Sequence, residues 1–197
     1  MIVNKVLIAT SNPGKIAEIR EVMVDIPVLW LALEDVGLAS VNVEETGDNF
    51  SANALLKANA YSKASGLTAV ADDSGIVVDA LDGAPGVYSA RYGPTAEARN
   101  AKLLKVLNGI PHEQRTAHFV SVIALVTPDG ITVTTEGTVD GHVATEARGT
   151  NGFGYDPVFL LEDGRTMAEL SSAEKSKISH RGTALAKLHP IVRCVLG

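Results

Sequence analysis

Hydrophobic and polar positions follow two periods along this chain, and the switches between them mark its elements. "KVLIAT", residues 5–10, is a short apolar run that predicts a buried strand. Residues 14–24 carry Ile16, Ile19, Val22 and Met23 at helical spacing, and "VLWLAL", 28–33, predicts a second strand. Strand, helix, strand is the α/β order. Residues 48–65 predict a helix rich in alanine and leucine, with Asp48 near its start and Gly66 at its end. "TAVADDSGIVVDAL" predicts a strand that ends in acids, a glycine turn and another strand. Residues 95–108 predict a helix, and "TAHFVSVIALVTPDGITVTTEGTVDG" a hairpin turning at Pro128-Asp129-Gly130. Ser171 with Glu174 three residues on is a capping-box pattern, so a helix is expected to start there. A second helical stretch, 181–189, follows the His-Arg pair, with Pro190 expected to kink or end it. No linker interrupts the pattern. It predicts one α/β domain over 1–197, built on a mixed sheet that can splay into two lobes around a cleft.

Charge and cysteine content narrow the chemistry. The formal net charge is -6, which disfavours polymeric DNA or RNA, where affinity comes largely from neutralised phosphates. A small anion remains possible, because a few lysines in one cleft set the local field. Cys194 is the one cysteine, so there is no disulfide within the chain and no CxxC metal site. The N-terminal "MIVNKVLIAT" is too soon broken for a signal peptide, and no apolar run reaches a membrane span. A reducing, cytoplasmic setting without a membrane is expected.

Five clusters carry candidate chemistry. In "TSNPGK", Thr10, Ser11, Asn12, Pro13, Gly14 and Lys15 form a strand-to-helix loop whose backbone donors and lysine suit an anion, although the P-loop pattern GxxxxGK[ST] is absent. The same loop also fits a simple capped turn. In "VEETGDNFSANALLKA", Glu44 and Glu45 precede a helix on which Asn49, Asn53 and Lys57 form one polar stripe, facing either a polyanion or water. In "AVADDSG", Asp72 and Asp73 sit where open α/β sheets place ligands, and carboxylate oxygens suit Mg²⁺. Neighbours on a strand point to opposite faces, so the two acids are expected to do different jobs. In "GTNGFGYDPVF", glycines surround Phe153 and Tyr155, an arrangement open to base stacking or to a tight turn. In "EKSKISHRG", Lys175, His180 and Arg181 offer donors for carbonyl or phosphate oxygens, or an ordinary charged surface. Zinc spacing, a GxSxG elbow and a GxGxxG fingerprint are all missing. Taken together, the lysines, acids, aromatic and His-Arg pair describe a cleft for a nucleoside triphosphate with Mg²⁺.

These residues resemble the inosine/xanthosine triphosphate pyrophosphatases of the Ham type. The matching stretches are "TSNPGK" (10–15), "EETGDNFSANALLKA" (44–58), "ADDSG" (71–75), "GAPGVYSARY" (83–92), "GFGYDP" (152–157) and "EKSKISHRG" (174–182), in the family's order and over nearly the whole chain. The resemblance implies an elongated mixed central sheet with flanking helices and two lobes around an active-site cleft. It also implies a homodimer and Mg²⁺ dependence, with hydrolysis of ITP, dITP or XTP to the monophosphate and pyrophosphate. It assigns the phosphates to Thr10–Lys15 and Lys57, and acid-base catalysis to Asp73. Mg²⁺ falls to Asp73 with Glu44 and Glu45, and a substrate contact to Ser74. The base and sugar pocket falls to Phe153, Gly154, Tyr155 and Asp156, completed by Lys175, His180 and Arg181.

Overall fold

The computed structural model describes residues 4–196. Six strands form one sheet: β1 (Lys5–Ile8), β2 (Leu29–Leu31), β3 (Thr68–Val78), β4 (Thr116–Val126), β5 (Thr132–Val143) and β6 (Phe159–Leu160). Their order across the sheet is β2-β1-β3-β4-β5-β6. β1 runs parallel to β2, pairing Lys5 with Leu29, and parallel to β3, pairing Val6 with Thr68. β5 and β6 are antiparallel, with His142 opposite Leu160. The sheet is therefore mixed, as expected. The helices are α1 (Pro13–Val22), α2 (Phe50–Ser65), α3 (Ala96–Val106), α4 (Ser172–Ile178) and α5 (His180–Leu196).

The chain divides into two compact units, and β3, β4 and β5 each contribute residues to both. The first unit comprises Met1–Asp73, Ser121–Gly137 and Arg181–Gly197. Its core joins Val6 and Ile8 of β1, Ile19 of α1, Val70 of β3, Ile123 and Leu125 of β4, and Leu185, Leu188 and Val192 of α5. The second comprises Ser74–Val120 and Thr138–His180. Its core joins Ile76 and Val78 of β3, Leu103 and Leu107 around α3, Phe119 of β4, and Phe159, Met167 and Leu170.

Three local expectations change. "TAVADDSGIVV" is one unbroken strand, so Asp72 and Asp73 lie mid-strand with no turn after them. Gly75 continues the strand and leaves room for Ser89 and the Gly86 carbonyl, into which a Cβ would collide. Pro190 does not end its helix but lies inside α5, which runs on to Leu196. Proline there removes the bond to the Ala186 carbonyl and is costly by itself, at about 3 kcal/mol. Buried Leu185 and Leu188 before it and Val192 after it share one core, and that packing keeps the helix together. Finally, α2 begins at Phe50 and not at 48, with Asn49 as its cap: the Asn49 side chain accepts the Ala52 N–H at 2.8 Å. None of the described helices is long and apolar enough to cross a membrane.

Candidate active site

In the first unit, "TSNPGK" builds the start of α1. Asn12 is the N-cap, and its Oδ1 accepts from the Gly14 N–H at 2.9 Å and the Lys15 N–H at 3.2 Å. The Asn12 N–H in turn donates to Thr10 Oγ1 at 3.2 Å. Pro13, exposed like Ser11, takes the first helical position, where no backbone donor is needed. The Asn12 side chain thus meets the first amide donors, and the charge the loop brings is the Lys15 ammonium.

That ammonium meets β3. Lys15 Nζ lies 2.7 Å from Asp72 Oδ2, and Arg181 Nη2 reaches the same oxygen at 3.2 Å. Ser121 of β4 donates its hydroxyl to Asp72 Oδ1 at 2.5 Å, and Arg181 Nη1 pairs with Glu18 of α1 at 2.5 Å. Asp73 points the other way, as strand geometry requires. Lys57 Nζ donates to Asp73 Oδ1 at 2.8 Å, to Glu45 Oε1 at 2.6 Å and to the Asp72 carbonyl at 2.9 Å, which uses all three of its protons. The stripe on α2 is thereby divided. Asn49 caps the helix, Asn53 accepts the Gly47 N–H at 2.8 Å, and only Lys57 faces the acids.

Adjacent carboxylates acquire opposite character. Burial alone raises the Asp72 pKa, but the charges of Arg181 and Lys15 outweigh it and hold this carboxyl well below its usual value. Burial also raises Asp73. Lys57 opposes that effect and Glu45 adds to it, so Asp73 stays above the usual carboxylate value. Glu45, half-buried, is pushed up by burial and brought down further by its bond to Lys57, so it ends below its usual value. Asp72 is a fixed anion, whereas Asp73 is tuned toward accepting a proton. Burial lowers Lys15 despite Asp72, while Asp73 and Glu45 overcome the burial of Lys57 and raise it.

The donor set suits a hard divalent cation. Asp73 Oδ2 is buried without a hydrogen-bond partner, beside Glu45 on the shared Lys57. Two carboxylates that leave the other positions to water and phosphate are the usual provision for Mg²⁺. Glu44 is exposed, and no cluster of three acidic, histidine or cysteine ligands forms among the described residues.

In the second unit, Phe153–Asp156 form a turn entered and crossed in the left-handed region, at Gly152 (φ +71°) and Gly154 (φ +66°). A Cβ on Gly152 would collide with Asp156 Oδ2 and stand 3.2 Å from Lys175 Nζ. Asp156 Oδ2 accepts the Phe153 N–H at 2.8 Å and pairs with Lys175 Nζ at 2.5 Å. The same ammonium sits 4.7 Å from the centre of the Phe153 ring. Lys175 comes from α4, whose Ser171–Glu174 capping box forms as expected. His180 is buried and stacks on Phe119 at 4.6 Å. Ser74 is partly buried on β3. The expected trio is therefore divided: Lys175 and His180 belong to the second unit, and Arg181 to the first, with Asp72 and Glu18.

The family model for the Ham1 family matches residues 6–191. The chain belongs to the Ham1 family. It is 48% identical over 192 residues to the dITP/XTP pyrophosphatase of Bacillus licheniformis, covering 95% of this chain and 97% of that one. With the dITP/XTP pyrophosphatase of Geobacter sulfurreducens the identity is 50% over 188 residues, covering 93% and 94%. The structure of the Staphylococcus aureus Ham1 protein matches with a TM-score of 0.86 at 40% identity, covering 98% of this chain and 100% of that one.

Three residues that the structure brings to this candidate site were not legible as such in the sequence. Ser121 is a lone hydroxyl within the apolar run from Phe119 to Val126 of β4, and that mismatch was its only signal. Glu18 follows Lys15 by three positions and so shares its face of α1. Asn100 is a buried amide on α3, bonded to the Gly154 carbonyl at 3.1 Å.

Proposed function

We propose that this Ham1 protein hydrolyses ITP, dITP and XTP to the monophosphate and pyrophosphate, with Mg²⁺. The observation that carries this reading is the meeting of Lys15 and Lys57 with Asp72 and Asp73 on one strand: two cations for a polyanion, one fixed anion, and one carboxyl tuned upward. Asp73 takes the proton from the water that attacks the α-phosphorus. The bond from that phosphorus to the bridging α–β oxygen breaks, and pyrophosphate leaves with the electron pair. Lys15 and Lys57, with the Thr10–Lys15 loop, hold the phosphates and meet the charge developing on the leaving group. Glu45 and Asp73 would hold Mg²⁺, with exposed Glu44 the third carboxylate of the proposed set. When bound, the metal neutralises phosphate charge.

For the purine, Phe153 stacks on the ring, and Gly154, Tyr155 and Asp156 shape its surroundings. Lys175 and His180 supply donors for a 6-oxo group, while Arg181, expected with them, stays with Asp72 and Glu18. An adenine amino group leaves such donors unpaired, which can discriminate by about 10⁴-fold. Ser74 contacts substrate. A cytoplasmic homodimer acting on free nucleotides, and not on nucleic acid polymers or membranes, completes the reading.

The test is a product assay with Mg²⁺ and, separately, ITP, XTP, dITP, GTP and ATP. Monophosphate and pyrophosphate from the first three, with GTP and ATP nearly untouched, is the expected result. Diphosphate with orthophosphate overturns the bond assignment. No turnover of any of them overturns the reading.

A further inference from the structure

Three consecutive residues of the Phe153 turn are each tied down by a different group. The Phe153 N–H is held by Asp156 at 2.8 Å. The Tyr155 hydroxyl donates to the Ser89 carbonyl at 2.8 Å. Between them, the Gly154 carbonyl accepts from Asn100 Nδ2 at 3.1 Å. The Ser89 anchor is itself fixed, because its Oγ accepts the Ile76 N–H at 3.0 Å and donates to the Gly86 carbonyl at 2.6 Å. The stretch "GAPGVYSARY" therefore serves as the floor to which Tyr155 is bonded.

Asn100 stands out among these anchors. It is 7% exposed, and its Oδ1 is buried with no hydrogen-bond partner. A buried carbonyl without a donor opposes folding, and a leucine of similar size avoids that cost. The Asn100 side chain bonds the peptide that follows Phe153, at a residue whose left-handed backbone (φ +66°) aims the carbonyl toward α3. An amide that is poor for stability, yet bonded to the centre of a ligand turn, is placed for geometry.

We propose that Asn100 is a positioning residue for purine recognition, fixing the Gly154 peptide and through it the plane of the Phe153 ring. The proposal rests on the nucleotide reading above. Asn100→Asp keeps the shape but, when ionised, cannot donate. Asn100→Leu removes both the donor and the orphaned oxygen. In the full chain, each variant is expected to raise KM for ITP about ten-fold while kcat stays within about two-fold. Tm of Asn100→Leu is expected to stay close to that of the parent, because the orphaned oxygen is removed as the Gly154 carbonyl loses its donor, and the amide resonances of Phe153, Gly154 and Tyr155 to move in both variants. Should burial of a charge keep Asn100→Asp from folding, Asn100→Leu alone carries the comparison. A parental KM with those three resonances unmoved overturns the proposal. So does a fall in kcat that tracks a lower Tm at constant KM, which is the mark of a merely structural role. If the parent turns over no purine triphosphate, the nucleotide reading fails separately. The resonances then decide whether Asn100 positions the turn: movement confined to it supports that, and no movement there overturns it.

Discussion

Asp72 and Asp156 are both buried carboxylates paired with a lysine, at 2.7 Å and 2.5 Å, yet they are held by different means. Asp72 sits on a central strand, and its partners come from far along the chain: Lys15 from α1, Ser121 from β4, Arg181 from α5. Asp156 sits in a turn of a few residues, and its partners are the Phe153 N–H and Lys175 on the nearby α4. The first carboxylate is fixed by charge gathered through tertiary packing, the second by local backbone shape. The phosphate chemistry proposed for the first unit should therefore be sensitive to electrostatics. Base recognition in the second should be sensitive to the turn.

The sharpest break of that comparison lies one residue from Asp72. Asp73→Asn is expected to lower kcat for ITP by about 10²–10⁴-fold with little change in KM, measured by pyrophosphate release. Its stability should move the other way. A carboxyl whose folded pKa is raised loses stability as pH climbs from the unfolded to the folded value, and the deficit persists above it. Removing the charge is therefore expected to leave Tm at neutral pH unchanged or higher. A marked drop in Tm would show that Asp73 is structural.

Asp72→Asn is the reverse case. It takes the carboxylate away from partly buried Lys15 and leaves buried Arg181 with Glu18, and is expected to cost about 3–5 kcal/mol in urea unfolding. Asp156→Asn removes the charge beside Lys175 and leaves the Phe153 N–H an acceptor, so a smaller loss of about 1–3 kcal/mol is expected. Equal losses would erase the distinction between the two sites. The pH dependence follows from the same charges. The folded pKa of Asp72 is depressed, so its contribution is fully present above the usual carboxylate value of about 4 and is lost as pH falls below it toward the folded value. The steepest acid loss in the parent, and its attenuation in Asp72→Asn, is expected in that window.

Gly152→Ala tests the turn. Its φ of +71° strains any side chain, and the new methyl collides with Asp156 Oδ2. About 1–3 kcal/mol is expected, together with a raised KM for ITP and a nearly constant kcat. Ser171→Ala is the mildest change. It removes the hydroxyl that accepts the Glu174 N–H at 3.3 Å at the start of α4, for about 1 kcal/mol and no change in KM.

Much of this was readable in the order of residues, because those features depend on near neighbours. The periods of "KVLIAT" and "DNFSANALLKANAYSKAS" specify their strand and helix, Ser171 and Glu174 specify a cap, and the glycines of "GFGYDP" specify a turn. Alternation along a strand told that Asp72 and Asp73 face apart. Tertiary structure decided what each one faces. Whether "ADDSG" breaks or continues depends on strands packed on either side, and Pro190 stays helical because a core holds both ends of α5. Asp72 becomes a fixed anion only where Lys15 and Arg181 converge across more than a hundred residues of chain. Electrostatic character inside a protein depends on distance and burial, and neither is written in local sequence.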